Sequence, residues 1–118
     1  MAKLKVAVAG CGGRGRCHMQ VLKQFEDVDL IAVCDPVESA RNSARDQAGV
    51  QNCYDDLGSM LDTESLDAVF VASPAHLNAQ VALPCLERGI STLLEKPPGM
   101  SVAETQNLRD VANRTDAK

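Results

Sequence analysis

Short apolar runs, rich in β-branched residues, alternate along the chain with longer stretches whose apolar residues recur at helical spacing. The apolar runs lie at residues 4–9, 29–34, 52–54, 68–72 and 90–94. The helical stretches lie at about residues 14–25, 38–48, 57–61, 76–88 and 102–113. This alternation predicts βαβ units, in which parallel strands form one sheet with helices on both faces.

Local signals refine several of the predicted helices. The first carries Val21, Leu22 and Phe25 among its apolar positions. The second has alanines four residues apart on one face and ends before Gly49, a residue suited to a left-handed cap; these alanines are Ala40, Ala44 and Ala48. Pro84 lies inside the fourth helix, where it predicts a kink or an early break. Ser101 to Glu104 has the pattern of a capping box at the start of the fifth.

Length and composition indicate one domain and exclude several kinds of function. The chain has 118 residues, of which 45% are hydrophobic and only 3% aromatic, and its net charge is −4. Few aromatic side chains and a negative charge argue against nucleic-acid binding. The longest apolar runs are too short to cross a membrane. The five cysteines are odd in number and form no CxxC pair, so we expect neither a zinc site nor disulfides, and a cytoplasmic location.

The first apolar run ends in a glycine-rich loop, residues 10–15, with the spacing G-x-G-x-x-G. Gly10 permits a tight turn, Gly12 lets a diphosphate approach the backbone, and Gly15 lets the following helix pack against the strand. The helix start offers unpaired N–H groups to phosphate. Gly13 lies in the same loop, and Arg14 either adds positive charge near the diphosphate or is a solvated residue at the helix start.

Asp35 follows the second strand, 20 residues beyond Gly15. A carboxylate at this position can accept hydrogen bonds from the adenosine ribose and repel a 2′-phosphate, which favours NAD over NADP. The alternative is that Asp35 begins a turn with Pro36 and caps the next helix.

The fifth apolar run leads directly into Glu95, Lys96, Pro97 and Pro98. In an open α/β sheet, ligands bind beyond the carboxyl ends of the strands, so we expect Lys96 to point into the same crevice as the glycine loop. A lysine held on a rigid turn there could polarise a substrate hydroxyl. The alternative is an ordinary surface lysine.

Taken together, four segments resemble the N-terminal domain of the glucose–fructose oxidoreductase, inositol dehydrogenase and rhizopine-catabolism (Gfo/Idh/MocA) family. These are residues 6–15 with His18, residues 32–35, residues 72–76, and residues 94–98. The resemblance spans essentially the whole chain, and the Glu-Lys-Pro segment is its most specific part.

The resemblance implies a role for each segment. The glycine loop and Asp35 would hold NAD. Ser73, Pro74 and His76 would line the cofactor crevice, and Glu95 and Lys96 would lie near the nicotinamide ribose and the substrate. Lys96 would orient the substrate hydroxyl during hydride transfer, and the acid/base histidine would belong to a C-terminal domain. For the histidines of this chain, His18 and His76, packing or capping roles stay open.

The expectation for the whole is therefore a Rossmann-type, doubly wound parallel sheet. Residues 1–118 would form a dinucleotide-binding domain without its substrate domain, and turnover is not expected of it alone. The full protein would act on a sugar, cyclitol or related polyol, as a homo-oligomer. Two alternatives stay open. One is a non-catalytic dinucleotide sensor or regulator of the same fold. The other is an S-adenosylmethionine-dependent methyltransferase, although Ala9 stands where such loops commonly carry an acidic residue.

Overall fold

Five strands and five α-helices make up the computed structural model, which describes residues 2–118. The strands are β1 (Leu4–Ala9), β2 (Val28–Cys34), β3 (Asn52–Tyr54), β4 (Ala68–Val71) and β5 (Ser91–Leu94). The helices are α1 (Gly13–Leu22), α2 (Glu38–Ala48), α3 (Leu57–Thr63), α4 (Asn78–Glu87) and α5 (Val102–Thr115), and a 3₁₀ turn (Ala75–Leu77) leads into α4.

All strand pairs are parallel, and the strands lie side by side in the order β3-β2-β1-β4-β5. The chain moves outward from β1 to β3, then crosses back to place β4 on the other side of β1. The carboxyl ends of β1 and β4 therefore flank the switch point, the position at which open α/β sheets bind their ligands. The predicted doubly wound parallel sheet is confirmed.

Two apolar layers cover the two faces of this sheet. On one face, Val6 and Val8 of β1 pack with Met19 and Leu22 of α1 and with two alanines of α2. These alanines, Ala44 and Ala48, are fully or almost fully buried. On the other face, alternate residues of the same strands pack against α3, α4 and α5. Because successive side chains of a strand point to opposite faces, one apolar strand supplies both layers.

The first helix ends earlier than the sequence predicts. It stops at Leu22 because Gln24 and Phe25 donate backbone hydrogen bonds to the carbonyls three residues before them, which closes a tight turn. Phe25, beyond the helix end, is 54% exposed, and Val21 is 53% exposed within α1, so Met19 and Leu22 supply the apolar contacts of this helix.

The early break predicted at Pro84 is wrong, and the capping box predicted at the start of α5 is confirmed with a shift of one residue. Pro84 does not break α4, which continues to Glu87 and is anchored by buried residues on both sides of the proline. At the start of α5, the Ser101 side chain accepts from the Glu104 N–H at 3.1 Å. The Glu104 carboxylate accepts from the N–H of Met100 rather than that of Ser101, so the capping box closes one residue earlier than expected.

Candidate functional site

The carboxyl ends of all five strands are in register. The last residues of neighbouring strands pair with one another, and the residues that follow β1, β2, β4 and β5 each extend the backbone ladder by one hydrogen bond. The N–H of Asp35 donates to Tyr54 of β3 at 3.0 Å, and that of Glu95 donates to Val71 of β4 at 3.1 Å. Asp35, Gly10 and Glu95 therefore lie along one edge of the sheet, with the glycine loop between the two carboxylates.

Two glycines of the loop are required by close backbone contacts. Gly10 has a φ of +105°, and a Cβ on it would lie 2.4 Å from the Ala72 carbonyl oxygen. A Cβ on Gly15 would lie 1.7 Å from the carbonyl oxygen of Gly10. Without a Cβ at Gly10, the chain can turn tightly after β1 beside β4. Without a Cβ at Gly15, α1 can pack against the end of β1. Neither residue can carry a side chain without movement of the backbone.

The middle of the loop is open instead of crowded. A Cβ on Gly12 or Gly13 would meet no atom within 4 Å, and both residues are exposed. Gly12 precedes α1 without a side-chain cap, and no acidic residue lies in the first turn. The first N–H groups and the positive end of the helix dipole thus face a space that a side chain would fill. These residues fit a dinucleotide diphosphate.

The carboxylate of Asp35 joins the glycine loop to the turn before α2. Its Oδ2 accepts from the N–H of Cys11 and its Oδ1 from the N–H of Val37, each at 2.8 Å. Arg41 donates from Nη1 to the main-chain carbonyls of Asp35 and Pro36 at 2.8 and 3.0 Å. Asp35 thus makes the local turn that the sequence offered as an alternative, and it also contacts the predicted diphosphate loop.

Cys11, the second residue of the loop, is a packing residue. Its side chain is fully buried, and its Sγ lies 3.6 Å from the Cys34 carbonyl oxygen. Burial, with a smaller contribution from the negative charge of Asp35, raises the pKa of the Cys11 thiol to about 12. A thiol with this pKa stays protonated near neutral pH and is a poor nucleophile.

At the other end of this edge of the sheet, after β5, Glu95 forms a cluster with two residues of α1. Its Oε1 accepts from Arg14 Nε at 2.9 Å and lies 2.6 Å from His18 Nε2. The hydrogen bond with His18, followed by that with Arg14, lowers the pKa of the Glu95 carboxyl. The same pairing raises the pKa of Arg14, whose side chain is 67% exposed. His18 also packs edge-on against Phe70, with ring centroids 5.4 Å apart.

The remaining predicted site residues lie at the ends of β4 and β5. Ser73 donates from Oγ to the side-chain oxygen of Asn78 at 3.0 Å. Pro74 and His76 are exposed around the 3₁₀ turn, and Lys96 is exposed beside Glu95. Within residues 2–118, no hydrogen bond or ion pair holds the side chains of His76 and Lys96. The Lys96–Pro97 peptide bond is cis.

Two contacts of this site were not predicted from the sequence. The first is the Glu95 contact with His18, because the two residues are 77 positions apart. The second involves Asn78, which is buried and binds main-chain carbonyls around Lys96. An asparagine at the start of a predicted helix is the available signal, but it ordinarily indicates a cap.

Residues 2–118 contain no group of three or more histidine, cysteine or acidic side chains arranged to hold a metal. Among the same residues, no helix combines the length and apolar character needed to span a membrane.

Comparison with known proteins identifies the family. Residues 4–118 match the model of the Gfo/Idh/MocA family, described as an oxidoreductase family with an NAD-binding Rossmann fold. The chain belongs to this family. An oxidoreductase family and NAD as its cofactor are thereby confirmed, and the methyltransferase alternative is not supported.

Curated relatives include two with informative names. The rhizopine catabolism protein MocA of Rhizobium meliloti is 27% identical over 97% of the chain, and D-glucoside 3-dehydrogenase of Escherichia coli is 30% identical over 94%. The matched regions make up 35% and 32% of those proteins. The chain therefore spans about a third of the length of these members of the Gfo/Idh/MocA family.

Solved structures show the same fold at similar identity. GenD2 from gentamicin A biosynthesis, in complex with NAD, is 28% identical and superposes with a TM-score of 0.92 over 99% of this chain and 33% of its own. Myo-inositol 2-dehydrogenase from Lactobacillus plantarum is 25% identical, with a TM-score of 0.87 over 96% of this chain and 34% of its own.

Proposed function

We propose that residues 1–118 form the dinucleotide-binding domain of a dehydrogenase that transfers hydride between NAD and a hydroxyl-bearing carbon of a sugar, cyclitol or related polyol. One observation carries this proposal: Asp35 and Glu95 lie on the same edge of the sheet, on either side of an uncapped glycine loop. This arrangement suits a ligand with a diphosphate at its centre and a ribose at each end.

The loop and Asp35 would hold the adenosine half of NAD. The N–H groups at the start of α1 bind the diphosphate, and the absence of a Cβ at Gly12 allows its close approach. Each carboxylate oxygen of Asp35 accepts one backbone hydrogen bond and keeps a lone pair for a ribose hydroxyl. The negative charge repels a 2′-phosphate, so NAD is favoured over NADP.

Residues at the ends of β4 and β5 would serve the nicotinamide half. Ser73, Pro74 and His76 would line the crevice beyond β4, and Glu95 would contact the nicotinamide ribose. When bound, NAD supplies the carbon that accepts or donates the hydride. The exposed ammonium of Lys96 would donate a hydrogen bond to the substrate oxygen and stabilise the negative charge that develops on it, while the hydroxyl proton would pass to the acid/base histidine that the family resemblance places in a C-terminal domain.

The proposed substrate class rests on the names of the relatives, because the chain itself spans only about a third of their length. The names of several relatives include a glucoside, an inositol or an apiose, all small molecules with several hydroxyl groups. We also propose a cytoplasmic homo-oligomer as the working form of the whole protein. The unpaired state of the five cysteines agrees with a reducing compartment.

Calorimetric titration of the chain with NAD, NADP and ADP tests the cofactor half of the proposal. We expect NAD to bind, and NADP to bind at least about tenfold more weakly, a difference of about 1.4 kcal/mol. Failure of both NAD and ADP to bind at millimolar concentration would reject a dinucleotide site.

Hydride transfer is tested in a chimera in which residues 4–118 replace the matching region of the Thermotoga maritima myo-inositol 2-dehydrogenase, a relative that is 24% identical to this chain. We expect NADH to appear when the chimera receives NAD and myo-inositol. A folded chimera that binds NAD but forms no NADH would contradict the catalytic half of the proposal and leave the cofactor half intact.

A further inference from the structure

Asn78, the first residue of α4, is only 1% exposed and is the one polar residue of the buried core within residues 2–118. Its side chain makes three hydrogen bonds. The Nδ2 group donates to the carbonyl oxygens of Glu95 and Pro97, each at 3.1 Å, and Oδ1 accepts from Ser73 Oγ at 3.0 Å. Both N–H bonds of the amide are thus used, and its oxygen is paired as well.

The two carbonyls that Asn78 binds lie on either side of Lys96. The first belongs to the peptide group before the lysine, and the second follows Pro97. Because the two N–H bonds of a planar amide diverge at a fixed angle, one side chain sets the position of both peptide groups relative to each other. The backbone of Lys96 is held between them.

The two main-chain carbonyls determine which way the amide points, because a carbonyl oxygen can only accept. Nδ2 faces both of them, and Oδ1 faces the Ser73 hydroxyl. The opposite orientation would bring Oδ1 against two carbonyl oxygens and leave no hydrogen bond there. The Ser73 hydroxyl, at the end of β4, then pairs the amide oxygen that this orientation leaves on the other side.

The sequence around Lys96 makes such a donor necessary. Pro97 and Pro98 have no N–H, so the backbone of this segment can be anchored mainly through its carbonyl oxygens. A carboxylate at position 78 could not donate to them, whereas an amide donates twice. The side chain of Glu95 is held separately by Arg14 and His18 of α1.

We infer that Asn78 is a positioning residue for Lys96. It fixes the Glu95–Pro97 backbone at the end of β5, and thereby sets where the lysine amine meets a substrate hydroxyl and where the segment meets the nicotinamide ribose. This inference rests on the proposed function, because the lysine and the ribose contact are part of it.

The test compares Asn78→Ala with the wild type and with Asn107→Ala, an exposed control on α5. Affinities for NAD and ADP are measured by calorimetry, and backbone order by ¹⁵N relaxation. We expect Asn78→Ala to weaken NAD binding by about tenfold while ADP changes by less than about twofold, because ADP lacks the nicotinamide ribose. The order parameter of the Lys96 amide should fall below about 0.6. Asn107→Ala should keep the NAD-to-ADP affinity ratio within about twofold.

An Asn78→Ala chain with a rigid Lys96 amide and an unchanged NAD-to-ADP ratio would overturn the inference. If this variant does not fold, the wild-type chain decides: a Lys96 amide with an order parameter below about 0.6, or rapid exchange of the Asn78 side-chain protons, would contradict the restraint. Slow exchange together with a rigid amide would support it. Failure of the wild type to bind NAD and ADP would instead reject the proposed function, and the relaxation data would still test the restraint.

Discussion

His18 and Glu95 meet across the site, with 2.6 Å between Nε2 of the histidine and Oε1 of the carboxylate. His18 lies on the helix that begins at the glycine loop, and Glu95 directly follows β5. The contact therefore joins the two structural elements proposed to hold the diphosphate and the nicotinamide ribose. Arg14 adds a second link between the same helix and the same carboxylate.

The Glu95 cluster makes the stability of the chain depend on pH. Its contacts with His18 and Arg14 lower the pKa of Glu95 below the ordinary value of 4.5. A carboxyl whose pKa is lower in the folded chain stabilises that state above its unfolded pKa, and the contribution is lost as the pH falls through the folded pKa. We expect Glu95→Gln to lower the free energy of unfolding at neutral pH, and the difference from wild type to shrink as the pH falls below 4.5.

Urea unfolding at a series of pH values measures this difference. Glu87→Gln is the matched control, because Glu87 is exposed and makes no ion pair within residues 2–118. A difference between wild type and Glu95→Gln that stays constant from neutral to acidic pH would show that the ionised carboxylate does not stabilise the fold.

Much of the fold follows from local patterns that need no knowledge of distant contacts. The run from Leu4 to Ala9 is apolar at nearly every position because both faces of β1 are covered, and the sequence marks its end with Gly10. The small residues of α2 are visible at their spacing of four, and they do face the sheet. Since parallel strands place their carboxyl ends together, the positions of Asp35 and Glu95 directly after apolar runs are enough to assign both residues to one edge of the sheet.

The contacts within the site were harder to predict because they join elements far apart in the chain. The pairing of Glu95 with His18 depends on how α1 lies across the sheet, which no spacing in the sequence specifies. The role of Asn78 depends on the positions of two main-chain carbonyl groups, and residue types alone do not reveal where backbone groups lie. The end of α1 was misplaced for a similar reason: the apolar side chain of Phe25 suggested a longer helix, but the tight turn before β2 leaves it exposed.

The open and crowded glycines of the loop should respond differently to substitution. Gly12 has a φ of −72°, which any residue can adopt, and a side chain there meets no protein atom. We expect Gly12→Val to change the free energy of unfolding by less than about 1 kcal/mol and to weaken NAD binding by about 100-fold or more. Gly15→Ala should cost about 3 kcal/mol or more, because its Cβ would lie 1.7 Å from the Gly10 carbonyl oxygen.

Denaturant unfolding and calorimetry on the two variants separate these effects. A Gly12→Val chain that is stable and binds NAD as the wild type does would show that the diphosphate lies elsewhere. A Gly15→Ala chain of wild-type stability would mean that the contact between α1 and the end of β1 is looser than the structure shows.

The charge of Asp35 should set the preference between NAD and NADP. Asp35→Ala removes the repulsion of a 2′-phosphate, so we expect the ratio of NADP to NAD dissociation constants to fall by about tenfold. The variant should also lose about 1–3 kcal/mol of stability, because the N–H groups of Cys11 and Val37 lose their acceptor. Asp46→Ala, an exposed position on α2, is the control. If calorimetric titrations gave an unchanged ratio, Asp35 would contribute to the turn before α2 but not to the preference between NAD and NADP.

Lys96 should matter for turnover more than for cofactor binding. Its ammonium is exposed beside Glu95 and is proposed to contact the substrate hydroxyl, whose charge changes only as the hydride moves. In the chimera with the Thermotoga maritima enzyme, we expect Lys96→Ala to lower kcat by about 100-fold while the dissociation constant for NAD changes by less than about threefold. Lys23→Ala is a poor control because Lys23 binds the Ala48 carbonyl, whereas Lys5 is exposed at the opposite end of β1 and serves well. Steady-state kinetics with separate NAD titrations distinguish the two roles. A large loss of NAD affinity with kcat preserved would show that Lys96 binds the cofactor and not the substrate.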